Sequence, residues 1–129
     1  MMWQPSGKPV DPERFAALRP IQTLYEFDGP RTFTFRDRDG ELCLAHWCDE
    51  ERETSRFIVV AFSNALVSRL EQGLLPIRQA LEQPRAWLVD QGADGSVRAA
   101  WRVELEDIPE EALPKPGIPL QPQVKGVGV

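Results

Sequence analysis

Proline placement constrains this chain more than any other feature, because proline donates no backbone hydrogen bond and suits neither a helix interior nor a central strand. Of twelve prolines, four stand in the first 20 residues (Pro5, Pro9, Pro12, Pro20) and four in the last 16 (Pro114, Pro116, Pro119, Pro122), leaving four for the 93 between. A single folded body is therefore expected over residues 21–113. Residues 1–20 read as a leader, and residues 114–129 as a Pro/Gly-rich tail, extended or disordered. Inside the leader, Asp11 before Pro12 has the form of an N-cap, which predicts a short helix from Pro12 to Leu18 closed by Pro20.

The body opens on a period of two. Ile21, Thr23, Tyr25 and Phe27 fall on one face of a half-buried strand, Gln22, Glu26 and Asp28 on the other, with Leu24 the exception. Asp28, Gly29 and Pro30 form a turn, and Arg31 to Asp37 alternates again with Phe33 and Phe35 toward the core. Asp39-Gly40 is the strongest hairpin signal in the chain, since glycine readily takes the positive φ of a tight turn. A third strand follows from Glu41 to Asp49, then an acidic loop from Asp49 to Glu53. Thr54 to Phe62 contains the run Phe57, Ile58, Val59, Val60, which suggests a central strand covered on both faces.

The period then changes to that of a helix. Ser63 caps a segment in which Leu66, Val67 and Leu70 recur, and Gly73 stands at its C-terminal end. Pro76 starts a second helix carrying Ile77, Ala80 and Leu81, and Pro84 ends it. Arg85 to Gln91 reads as a fifth strand around Trp87, Leu88 and Val89, and Gly92 to Gly95 as a hairpin loop. In the sixth strand Val97, Ala99, Trp101, Val103 and Leu105 share one face. The predicted fold is α+β: an antiparallel sheet of about six strands, in which a β-meander leads to two short helices and a closing β-hairpin, with the helices on one face.

With 42% hydrophobic and 27% charged residues and a net charge of −5, the chain has the composition of one ordinary globular domain. No stretch approaches the roughly 20 apolar residues of a membrane span, and nothing at the N-terminus reads as an export signal, so a cytoplasmic protein with no membrane partner is expected. Cys43 and Cys48 without such a signal fit free thiols in a reducing compartment. Acidic balance argues against a nucleic-acid partner. Twelve arginines against three lysines fit either a high-GC coding bias or an Arg-rich contact surface.

Cys43, His46 and Cys48 are residue types that ligate zinc or activate a thiol, but on a regular strand Cys43 points away from the other two. Free cysteines packed as small hydrophobes are the expectation, and no metal or cofactor is implied. The acidic run Asp49, Glu50, Glu51, Glu53 reads as a solvated hairpin tip with Arg52 and Arg56 beside it, and Arg56 opposite Asp49 would make a surface salt bridge of small value. Trp87 and Trp101 read as core. Trp47, near the end of its strand where the chain turns acidic, has the best claim to exposure and to a role as an interface anchor. Trp47, Asp49 and Arg56 are thus the candidate binding residues. No phosphate-binding glycine loop, nucleophile elbow, H-E-x-x-H or C-x-x-C occurs, so no catalytic residue is assigned.

Three stretches carry a resemblance: LYEFDGPRTFTFRDRDGELCLAHWCDEERETSRFIVV from Leu24 to Val60, LEQGLLPIRQALEQP from Leu70 to Pro84, and IPEEALPKPGIPL from Ile108 to Leu120. In these the chain resembles a family of small, functionally uncharacterised bacterial proteins. That resemblance implies a fold and transfers no catalytic assignment. The expected function is a non-enzymatic interaction or adaptor module whose partner is another protein or a second copy of itself. The alternative is a small-molecule-binding domain or weak hydrolase using the Trp47, Asp49 and Arg56 end of the sheet.

Overall fold

A computed structural model describes residues 2–120. Seven strands form one antiparallel sheet: β1 (Lys8–Val10), β2 (Gln22–Glu26), β3 (Pro30–Arg36), β4 (Leu42–Glu51), β5 (Thr54–Ala61), β6 (Ala86–Gly92) and β7 (Val97–Val103), in the spatial order β1-β7-β6-β5-β4-β3-β2. The two helices are α1 (Asn64–Glu71) and α2 (Ile77–Ala80), between β5 and β6. The α+β class, the meander and the closing hairpin match the reading from sequence. The strand count is seven instead of about six, because Lys8–Val10 in the leader pairs with Ala100–Arg102 of β7.

β5 lies at the centre, and its apolar run is covered on both sides. One layer, around Leu44, Ile58, Val60 and Leu88, receives Leu70 of α1, Ala80 of α2, Leu81, Ile108 and Leu120. The other, around Phe33, Phe35, Cys43, Phe57, Val59 and Trp87, is closed by Phe15 and Leu18. These two residues follow from a 3₁₀ turn at Pro12–Phe15, which Asp11 caps by accepting from the Glu13 amide; the expected helix to Leu18 is thus shorter and tighter. With Phe15, Leu18 and Leu120 all buried, the core extends beyond residue 21 on one side and residue 113 on the other. The expectation for the end of the tail falls on residues 121–129, outside the described residues.

Local chemistry explains the elements. Ser63 Oγ accepts from the Leu66 amide and starts α1, and Gly73 takes φ 75° at its end. Gly40, at φ 84°, turns the chain from β3 into β4. Four irregularities redirect side chains, one of them at Arg31, the extra residue between Tyr25↔Thr32 and Glu26↔Pro30. Leu24 is the extra residue between Thr23↔Phe33 and Tyr25↔Thr32. Cys48 is the extra residue between Trp47↔Phe57 and Asp49↔Arg56, and Arg98 between Asp90↔Ala99 and Gln91↔Val97. Each shifts the alternation by one position.

Two expected facings are corrected as a result. In β2, Leu24 is the buried residue and Tyr25 (37%) is exposed, as are Ile21 (62%) and Phe27 (68%) on either side of the strand. In β7, Val97 packs with the Phe33 layer although Trp101 and Val103 belong to the Leu88 layer. The expected acidic loop is also shorter: β4 continues to Glu51, and the turn is made by Arg52, at φ 52°, and Glu53.

Candidate functional site

The three candidate residues occupy two different places. Arg56 and Asp49 are backbone neighbours across the β4–β5 hairpin, yet the expected Arg56–Asp49 bridge is absent. Arg56 turns to Asp90, its register partner on β6, and donates from Nε to Oδ1 at 2.7 Å and from Nη2 to Oδ2 at 2.9 Å. This bidentate pair is buried. Its third hydrogen bond goes from Nη1 to the Trp3 carbonyl oxygen. Trp3 and Trp101 flank the guanidinium, with ring centroids 4.8 and 5.3 Å from Cζ. Aromatic faces and a fork-shaped acceptor satisfy a buried guanidinium as water would outside. Beside it lies an open cleft of about 880 Å³, walled by Glu51, Arg52, Glu53, Thr54 and Arg98.

Trp47 lies in a second groove, of about 440 Å³, where the β2–β3 turn, the bulged part of β4 and the segment Glu111–Pro114 meet. Tyr25, Phe27, Arg31, His46, Cys48 and Glu50 complete its lining. Arg31 stacks on the indole at 4.4 Å from Cζ to centroid and donates from Nε to the Phe27 carbonyl at 2.7 Å, so one side chain ties the turn to Trp47. The indole is half-buried against the Phe33 layer, and its Nε1–H, itself buried, makes no hydrogen bond. Asp49 lines neither cavity; its Oδ1 accepts from the Glu50 amide.

Burial decides the protonation of the remaining polar groups here. His46 Nδ1 and Thr32 Oγ1 share a hydrogen bond of 2.9 Å, and burial pulls the imidazole pKa down to about 4, so the ring is neutral near pH 7. Burial raises the Cys48 thiol well above its ordinary value, with Arg56 opposing. A protonated thiol and a neutral ring two positions apart offer weak nucleophilic chemistry. Cys43 packs in the opposite layer, so the Cys43, His46 and Cys48 set does not converge.

Two functional features were not legible in the sequence. The partner of Arg56 depends on which strand follows β5 in the sheet, and the exposure of Tyr25 depends on the bulge at Leu24. No protein-family model, curated protein or solved structure shows a significant match to this chain.

Proposed function

We propose that the protein is a non-enzymatic interaction module, of the small bacterial cytoplasmic kind, that binds an extended segment of a partner protein along the β2 edge. The observation supporting this reading is that β2 is the last strand of the sheet among the described residues, with Tyr25 exposed on it and Ile21 and Phe27 exposed just beyond its two ends. Such an edge accepts a further strand through its backbone, and neighbouring pockets select its side chains. Trp47 with Arg31 stacked on it supplies a rigid aromatic anchor at the end of that edge. From residue 21 to residue 113, 18 acidic residues face 10 arginines, so a partner segment with basic flanks is favoured electrostatically.

The experiment is co-purification of the tagged chain with its partner at near-physiological salt, with light scattering on the eluate. Wild type is expected to retain a stoichiometric partner, Phe27→Asp to lose it, and Leu74→Asp, at another exposed apolar position, to keep it. A monomer without a partner, or equal retention by Phe27→Asp, refutes the reading; a concentration-dependent homodimer lost in Phe27→Asp would identify the occupant as a second copy.

A second reading, small-molecule binding, draws on the cleft beside Arg56, whose size suits a metabolite. Calorimetry against common metabolites and divalent metals tests it, with heat lost in Arg98→Ala as the expected result and silence as the refutation.

A further inference from the structure

At the opposite end of β3 and β4, the hairpin closed by Gly40 brings together Asp37, Glu41 and Cys43, with one ligand atom from each lying within 4.8 Å of the others. Each carboxylate is held by one oxygen and leaves the other without a hydrogen bond. Asp37 Oδ1 accepts from the amides of Asp39 (3.0 Å) and Glu41 (2.9 Å), while Oδ2 accepts none, although the side chain is only 1% exposed. Glu41 Oε2 accepts from Arg85 Nη2 at 2.7 Å, while the buried Oε1 accepts none. Cys43 Sγ is fully buried beside them. A buried carboxylate oxygen without a hydrogen bond is costly, and both carboxylates of this cluster keep one, with only Arg14 at ion-pair distance from the two.

We propose that Asp37, Glu41 and Cys43 form a site for one divalent transition-metal ion of the zinc type. Thiolate with two carboxylates is a borderline-soft donor set suited to zinc, and three protein ligands leave a fourth position for water. The contacts already made by Asp37 Oδ1 and Glu41 Oε2 are those of an outer shell, which orients ligating carboxylates and fixes the oxygen each presents. Zinc would draw the ligand atoms to roughly 3.3 to 3.8 Å from one another. Glu41, 36% exposed, is the side chain with room to make that closure.

Arg14 and Arg85 are the neighbouring cations. Arg14 lies 3.8 Å from Asp37 Oδ2 and 3.9 Å from Glu41 Oε1, too far to hydrogen-bond either, and its own Nε is likewise without a partner. When the metal binds, the thiol proton leaves to solvent. Three anionic ligands then face two guanidinium groups, and one negative charge is left to hold the ion.

The test uses the full chain, stripped with a chelator and titrated with zinc, then with cobalt(II) as a spectroscopic probe. Expected are one zinc per chain retained through gel filtration and a thiolate-to-cobalt charge-transfer band. Cys43→Ser removes the band, Cys48→Ser leaves it, and Asp37→Asn, which keeps the oxygen that accepts the two amides, weakens affinity by about tenfold or more. Substoichiometric zinc in the wild type, or a cobalt band that survives Cys43→Ser, overturns the proposal and leaves Arg14 as the counter-ion of the two carboxylates.

Discussion

Arg56 shows what a single side chain can demand of its surroundings. A guanidinium taken out of water must find charge and acceptors, and Arg56 finds both in Asp90, the Trp3 carbonyl and two indole faces. From sequence, the acidic residue across the nearest hairpin is the obvious partner, and Asp49 does lie there. Asp90 lies across the other ladder of β5, a neighbour created by the connection through α1 and α2, which local pattern does not encode. A buried pair broken on one side strands its partner. Asp90→Ala is therefore expected to lower unfolding free energy by about 3–5 kcal/mol. Replacing both members, as Arg56→Met with Asp90→Leu, is expected to recover most of that loss, because neither charge remains to be desolvated. Urea denaturation of Arg56→Met, Asp90→Leu and the double variant separates these outcomes. Additive losses in the double variant would mean that the pair is not the coupled unit described here.

Elements were legible where residues follow a period and hidden where one residue is inserted. Phe33 with Phe35, the Gly40 turn, the Ser63 cap and the Pro76 start all follow from local chemistry, and all are where that chemistry puts them. Leu24, Cys48 and Arg98 are each an extra residue against the neighbouring strand, and a bulge leaves no mark in an alternation until the partner register is known. β1 escaped for another reason: three residues that include Pro9 carry no period to read. Its attachment rests on a close approach instead. A Cβ on Gly7 would collide with the Arg102 carbonyl oxygen and with Val103 Cγ1. Gly7→Ala is accordingly expected to lift β1 from β7, costing about 1–3 kcal/mol. Hydrogen exchange should speed up at the Lys8 and Val10 amides while the β4–β5 ladder stays protected; unchanged exchange at both would mean that Gly7 does not hold β1 against β7.

At the scale of the whole molecule, the sheet has two faces to cover and, among the described residues, two short α-helices with which to do so. α1 and α2 serve the Leu88 layer; the Phe33 layer depends on Phe15 and Leu18 from the leader, where Phe15 meets Trp87 edge-on at 5.6 Å. Leu120, from the proline-rich end, completes the first layer, and Ile118 holds the segment in place by accepting from the Ile77 amide at 3.1 Å. Proline excludes regular structure, which made the two ends look like appendages, but it does not exclude burial of the apolar side chains between the prolines. A chain cut to residues 21–113 keeps every periodic element and loses these three side chains together with β1. Truncating three buried side chains of this size costs about 7–15 kcal/mol, which is the whole stability of an ordinary domain, about 5–15 kcal/mol. That fragment is therefore expected to melt without a cooperative transition, whereas residues 2–120 melt in one. Circular dichroism melts of the two chains decide it, and a sharp transition in the shorter one would mean that the six central strands and two helices carry the fold alone.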